Sequence, residues 1–370
     1  MLFGFRLPLT APVAYHEVFM VESNQSKVAM RSAAAARDQL GNLLSNMATA
    51  PIGSDYKTLL DLTDAYLPMI IAIVEQVHKT SNRKMSQRIV FKWSSWLSES
   101  RELLEMMLLE DELCCTYTLF ALLQYKQAHA ILSAKREVIG SGADIQKQAI
   151  AHLRKASSIF EWIANTLVPL SLMASEIRPL ECSVKSLQAL SILCLCNWQE
   201  TIIESAIAGN KLPGAVARLF LGVVDQYGAM QQAMNALASS YHSLDSAFKV
   251  FPRIRSEYCL AQAYYYLGIE AFDENNYGNA IALFQESKRI VDEIRFPEVN
   301  HPTIMAAKSE RHQFLATLNS RLNSLIKDNS TIYFAVVPVV QSIAMPSPVF
   351  MPKCDKFEPT AADSKSYFDL

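Results

Sequence analysis

From Ser26 onward apolar residues recur at intervals of three and four, the spacing that lines up one face of an α-helix, and the pattern holds for about 300 residues. It predicts helices near 26–48, 55–79, 101–137, 144–166, 175–209, 213–249, 253–274, 277–294 and 303–327. The segment 101–137 holds neither Pro nor Gly; as one helix it would run roughly 55 Å at 1.5 Å per residue, a length that points to an elongated, solenoid-like body. The breaks have local causes. Gly140 and Gly142 end one helix, Gly209-Asn210 ends another, and Pro213 opens the next from its first turn. The flanks read differently. Residues 1–24, with Pro8 and Pro12 before a β-branched and aromatic run, read as an extended entry with a short strand. Asp328-Asn329-Ser330 stops the helices, and residues 331–337 read as a second strand. The tail to 360, with Pro338, Pro346, Pro348, Pro352 and Pro359, reads as extended and draped over the body, and 361–370 as disordered.

Within the helical stretch, Tyr264, Leu267 and Gly268 are followed by Tyr277, Ala280 and Phe284, close to one tetratricopeptide unit. Gly268 and Ala280 let two antiparallel helices approach, and Leu267 and Phe284 fill the space between them. One copy is present, so the pattern supports a single hairpin over 253–294 inside a larger helical domain.

Composition narrows the picture. Only 11 glycines in 370 residues leave few tight turns, which agrees with long helices, and 51% apolar residues can bury a large core. A net charge of −2 gives no basis for nucleic acid as a partner. The longest apolar run, Leu67–Val74, is far short of the ~20 residues that span a bilayer, and the N-terminus lacks a signal-peptide core. Membrane contact is therefore expected to be peripheral or indirect. The densest basic stretch, Arg83-Lys84 with Arg88 and Lys92, reads as a solvated turn. Seven scattered cysteines point to a reduced, cytoplasmic setting.

Chemistry-bearing patterns are missing. There is no phosphate-binding glycine loop, dinucleotide fingerprint, zinc-protease helix or nucleophile elbow. None of the seven histidines lies at helical spacing from another, so surface or capping roles are expected of them. Cys194 and Cys196 do not make a zinc knuckle, and Glu110-Asp111-Glu112 reads as a solvated helix face. No catalytic residue, cofactor or metal is assigned.

The order of features carries more than any single motif. Leu9-Thr10-Ala11-Pro12-Val13, Phe91-Lys92-Trp93, Leu119-Phe120, Ala156-Ser157 with Phe160, Gln199-Glu200, Leu212-Pro213-Gly214, the hairpin, Lys327-Asp328-Asn329, Ile332-Tyr333 and Val337-Pro338 follow one another in this sequence. That succession resembles the Bro-one domain, the boomerang-shaped helical module of ESCRT-associated adaptors, over nearly the whole chain. Ala121 stands where the family has Asn, and Leu195-Cys196-Asn197-Trp198 replaces most of an Ala-Gln-Ala run. The resemblance implies an all-α fold with a small β element near the N-terminal and 331–337 segments, and one domain over 1–370 with its helical body at 25–327.

It also implies an adaptor rather than an enzyme. Family members hold the amphipathic C-terminal helix of an ESCRT-III subunit of the Snf-seven/CHMP-four type in an apolar patch, by helix-in-groove docking. Carried over residue by residue, the patch is Ile145 and Lys147, Ile202, Ala215 and Leu219, and Leu322. Ile202 lies on a stretch apolar almost all round, and Leu322 continues the stripe Leu315-Leu318-Leu322-Leu325, so for both the core and the patch satisfy the pattern. On the helix after Pro213, the stripe Val216-Phe220-Val223-Tyr227 has the stronger claim to the core. The neighbouring row Ala215-Leu219-Gly222-Gln226 is small except at Leu219, which makes Leu219 the best candidate: a shallow groove with one anchor is the favoured reading, and tight helix packing is the other. Lys147 reads as a rim charge. The expected protein is a monomer recruited from the cytoplasm to endosomal membranes; a scaffold of the same fold serving a signalling or cytoskeletal partner is the alternative.

Overall fold

The computed structural model describes residues 2–49, 54–79, 88–134, 142–171, 178–237 and 242–368. Gly140, Arg83 and Lys84, singled out above, lie outside them. Two compact units emerge, one of Gly4–Cys194, Ala236–Asp245 and Cys354–Leu370, the other of Met1–Phe3, Leu195–Asn235 and Ser246–Lys353.

In the larger unit a single turn, α1 (Tyr15–Val18), precedes α2 (Asn24–Met47). Ser23 caps α2 by accepting from the Ser26 amide at 3.0 Å. Residues Ala29, Ala33, Arg37, Leu40 and Leu44 turn inward from α2, and Leu59, Thr63, Tyr66, Ile70 and Val77 from α3 (Lys57–Lys79). The β element lies between β1 (Phe91–Ser94) and β2 (Leu103–Met106), antiparallel in the register Phe91↔Met106 to Ser94↔Leu103. Thr10 adds an isolated bridge to Trp93, so the N-terminal segment does reach the sheet, while residues 15–18 are a helical turn rather than a strand.

The long helix expected over 101–137 is therefore two elements: β2, then α4 (Leu109–Ala134). Glu, Leu and Met favour helix locally, but pairing with β1, including a 2.7 Å Lys92–Glu105 ion pair across the strands, overrides that preference. Helix α4 is buried on nearly every side from Leu109 to Tyr125, and α5 (Gly142–Trp162) packs along it before a π-turn and the short α6 (Val168–Ser171). The helix expected to reach 249 ends at Asn235, and Leu244 and Asp245 are held elsewhere: Leu244 bridges to Ser98 and the Asp245 amide donates to the Leu97 carbonyl at 2.8 Å. The tail is held through Phe368 rather than disordered. Tyr367 is buried, its amide donates to Gln76 Oε1 at 2.8 Å, and the Phe368 ring meets Phe19 edge-on.

Helix α7 (Val184–Ala208) contributes its first part to the larger unit and its second to the smaller. The smaller unit continues with α8 (Pro213–Asn235), α9 (Ser246–Asp273), α10 (Tyr277–Glu293) and α11 (Pro302–Asp328). Two of its helices end on asparagines in the left-handed region: Asn210 (φ 49°) after α7 and Asn275 (φ 61°) after α9. Around each, the following amide reaches back to satisfy an orphan helix carbonyl, Lys211 to Ala206 at 3.0 Å and Asn276 to Ala271 at 2.8 Å. The tetratricopeptide-like hairpin is α9 and α10. A Cβ on Gly268 would fall 2.6 Å from the Phe284 ring, so only glycine permits that approach.

Residues 331–337 pair with no strand. Asn329 takes both backbone groups of Ala335 with its side-chain amide (3.0 and 2.9 Å), Tyr333 stacks on Tyr277, and Phe334 turns through φ 50°. The expected strand is therefore a π-turn, Asn329–Tyr333, that prolongs α11, and only residues 335–337 run on without a ladder partner.

Candidate functional site

The acidic trio at the start of α4 is not a solvated face. Glu112 and Asp111 are buried; Asp111 accepts from Arg178 Nε at 2.8 Å and Glu110 meets His78 at 2.5 Å. Glu112 is the hub of a buried network. Its Oε1 accepts from Arg37 Nε at 2.5 Å and Tyr66 at 3.1 Å, its Oε2 from Trp93 Nε1 at 2.6 Å, and Arg37 lies over the Trp93 ring. Nearby, burial raises the Glu181 carboxyl to about 7 although Ser95 and the Trp96 amide donate to it. These groups face protein, not a substrate cavity. Clefts bordering α5 are lined by Ser158, Glu161, Asn165 and tail residues such as Lys356, and Asp355 there is paired with Arg154. No cluster that could hold a metal ion occurs among the described residues, and Cys114, Cys115 and Cys182 are buried thiols. His301 caps α11 through Nδ1, one of the capping roles anticipated for the histidines.

The candidate partner surface lies on α7 and α8 of the smaller unit. Glu200 anchors the pair from within. Burial works against its charge, but Arg255 at 2.8 Å pulls the carboxyl below its usual value, and the Tyr227 hydroxyl, donating at 2.8 Å, adds to the effect. Arg255 also donates to Glu310 on α11 at 2.7 Å. Val216, Phe220, Val223 and Tyr227 are all buried, so this stripe is the core face of α8. In the neighbouring row Ala215 is exposed, Leu219 and Gln226 are half-buried, and Gly222 is buried. Ile202 is half-buried on α7. Ile207, near the end of α7, and Leu212, the residue before Pro213, are also exposed, the latter at 77%.

Leu322 is 5% exposed and packs in the cluster with Leu318, Leu325, Phe314 and Ala217, so it supports the surface from beneath rather than forming part of it. Ile145 is half-buried and Lys147 exposed in the first turns of α5, in the larger unit; Lys147 lies 3.7 Å from Asp144 with both side chains in water.

The small residue at 222 has a cause that spacing did not reveal. The chain's own residues 347–351 lie across α8 there, and a Cβ on Gly222 would fall 2.1 Å from the Val349 carbonyl oxygen. The Val349 amide donates to the Arg218 carbonyl at 2.9 Å, and Arg218 Nε donates to the Ser347 carbonyl at 3.1 Å. Gln199 ties the three segments: its Nε2 donates to the carbonyls of Leu219 (3.2 Å) and Val349 (2.9 Å), and its Oε1 accepts from the Met351 amide (3.2 Å).

Known proteins agree with this architecture. Residues 22–369 match the BRO1-like domain family. The BRO1 domain-containing protein BROX of Mus musculus is 22% identical over 348 residues, 90% of this chain and 80% of that protein. The vacuolar protein-sorting protein bro-1 of Neurospora crassa is 26% identical over 178 residues, 44% of this chain and 17% of that one. Among solved structures, an ALIX BRO1 CHMP4C complex superposes with a TM-score of 0.69 at 18% identity, covering 100% of this chain and 98% of that one. A Bro1 domain solved as a structural basis for endosomal targeting gives 0.60 at 18% identity, covering 94% and 92%.

Proposed function

The chain belongs to the BRO1-like domain family, and from that premise we propose that it is a non-enzymatic adaptor whose α7–α8 surface holds the amphipathic C-terminal helix of an ESCRT-III subunit of the CHMP4 type. The observation that carries this reading is Leu219. Its helix seals a full apolar stripe into the core, yet Leu219 stands half-exposed beside exposed Ala215, with Ile202 half-buried on α7. Apolar side chains left partly uncovered beside a well-packed stripe suit the i, i+3, i+4 and i+7 side chains of a ligand helix. The solved ALIX BRO1 domain of matching fold is in complex with CHMP4C, which supports the choice of ligand. Among the described residues no helix is long and apolar enough to cross a membrane; the proposed recruitment to endosomal membranes is peripheral or runs through the ESCRT-III partner.

Titration calorimetry with a CHMP4C C-terminal helix peptide tests the reading. Leu219→Asp sets an unpaired charge against the apolar ligand face and is expected to cost about 2–4 kcal/mol of binding, a loss of roughly 30-fold or more. Unchanged affinity in a folded variant removes Leu219 from the site. If the wild-type chain takes no such peptide, the fold serves another partner; Ala215, offering a single methyl group, is where its preference would have diverged.

A further inference from the structure

We propose that the strap formed by residues 347–351 is part of the ligand-helix site, with Met351 as a contact residue and Gln199 as the positioning residue that locks it there. This rests on the adaptor reading above and goes beyond it by adding a second segment to the surface. Helical geometry sets the arrangement. At about 100° per residue, the sealed stripe of Val216, Phe220, Val223 and Tyr227 centres roughly 100° from the row of Ala215, Leu219, Gly222 and Gln226. Arg218 and Gly222, which meet the strap, lie on the opposite flank of that row. The strap thus borders the row on the side away from the core and closes over it at Gly222. The groove stays open toward Ala215, Leu212 and Ile207.

The strap is not loosely laid. Its backbone bonds to α8 at Val349 and through Arg218, and one carboxamide, that of Gln199, holds both the Leu219 carbonyl and the Met351 amide. Leu219 and Met351 are therefore neighbours through a single side chain. Met351 nonetheless leaves 57% of its surface in water. A methionine held at the backbone and free at the side chain provides a flexible, polarisable wall against a ligand helix. The occupant is the same amphipathic helix, because the strap borders the row on which that helix would rest.

The test uses the full chain and the CHMP4C C-terminal helix peptide. Met351→Asp changes an exposed side chain and is expected to weaken binding by about tenfold, whereas Met305→Asp, an equally exposed methionine on α11, leaves it unchanged. Gln199→Leu is expected to weaken binding similarly and, without peptide, to speed hydrogen exchange at the Val349 and Met351 amides by about tenfold or more. Wild-type affinity in Met351→Asp, while Leu219→Asp has lost binding, overturns the strap's role and leaves the adaptor reading standing. Wild-type affinity in Leu219→Asp overturns that reading instead. Unchanged exchange in Gln199→Leu overturns the lock. Should the Gln199 variant fail to fold, Met351→Asp still decides the matter.

Discussion

Replacing Glu112 with Gln probes the most heavily connected polar group in the larger unit. Both carboxylate oxygens only accept, and they face four donor contacts: Arg37 Nε and the Tyr66 hydroxyl on one, Trp93 Nε1 and, at 3.5 Å, Arg37 Nη2 on the other. Whichever oxygen becomes an NH₂ group therefore meets a donor head-on. Arg37 is fully buried, and its guanidinium then keeps its charge with no counter-ion. Removing one partner of a buried pair costs about 3–5 kcal/mol, because the surviving charge stays desolvated. Replacing both is much milder. In Arg37→Met/Glu112→Leu the loss is expected to fall to about 1–2 kcal/mol, since apolar groups of similar volume leave fewer unpaired atoms. Urea denaturation of the wild type, Glu112→Gln, Glu112→Leu, Arg37→Met and the double variant gives the coupling. A Glu112→Gln loss below about 1 kcal/mol, or a double variant whose loss is the sum of its singles, would refute the claim that the pair is one desolvated unit.

Other outcomes follow from single contacts. Gly268→Ala should destabilise the chain by about 1–2 kcal/mol in thermal or urea melts, since a methyl group 2.6 Å from the Phe284 ring outweighs the gain of up to about 1 kcal/mol in helix propensity; a stabilised variant would contradict that geometry. Glu181, raised from 4.5 to about 7, binds its proton more tightly folded than unfolded. Its contribution is complete below pH 4.5 and disappears as pH rises through 7, on the order of 3 kcal/mol at 1.36 kcal/mol per unit. Glu181→Gln should remove most of that decline, seen as a flatter urea midpoint between pH 5 and 8; an identical slope in the variant would be incompatible with a buried, proton-holding carboxyl.

The parts that local chemistry decides were readable from the sequence. Gly268, Ala280 and Phe284 announce a close helix pair because their sizes have meaning only there, and the buried stripe of α8 follows from its spacing. Contacts between distant segments left no such mark. Glu112 sits beside two other acids and looks solvated, because Arg37 is 75 residues away and Tyr66 is 46 away. Leu103–Met106 carries helix-forming residues, and only β1 makes it a strand. Gly222 was visible as a small residue, but both a partner helix and the chain's own strap demand a small residue there, and the sequence does not distinguish them. The same ambiguity applied to Leu322, where a leucine at helical spacing satisfies the core and the surface alike.

Gln199 and Glu200 show how these levels meet in the proposed site. Adjacent on α7, they diverge by about 100° and hold different parts of α8: Gln199 the Leu219 carbonyl and the strap, Glu200 the Tyr227 hydroxyl and, through Arg255, helices α9 and α11. Leu219 and Tyr227 are eight residues apart, about 12 Å along the helix. Pinned at two such points by directional bonds, α8 has little freedom to roll or slide on α7. Apolar contact alone would not impose this, being non-directional. In the proposed site the groove's shape would thus be set by polar groups beneath and beside it, while its affinity would reside in Ala215, Leu219, Ile202 and Met351, which none of those bonds involves through a side chain. Changes at these apolar positions can alter which helix is held without disturbing the scaffold, and a single fold can serve partners of differing size.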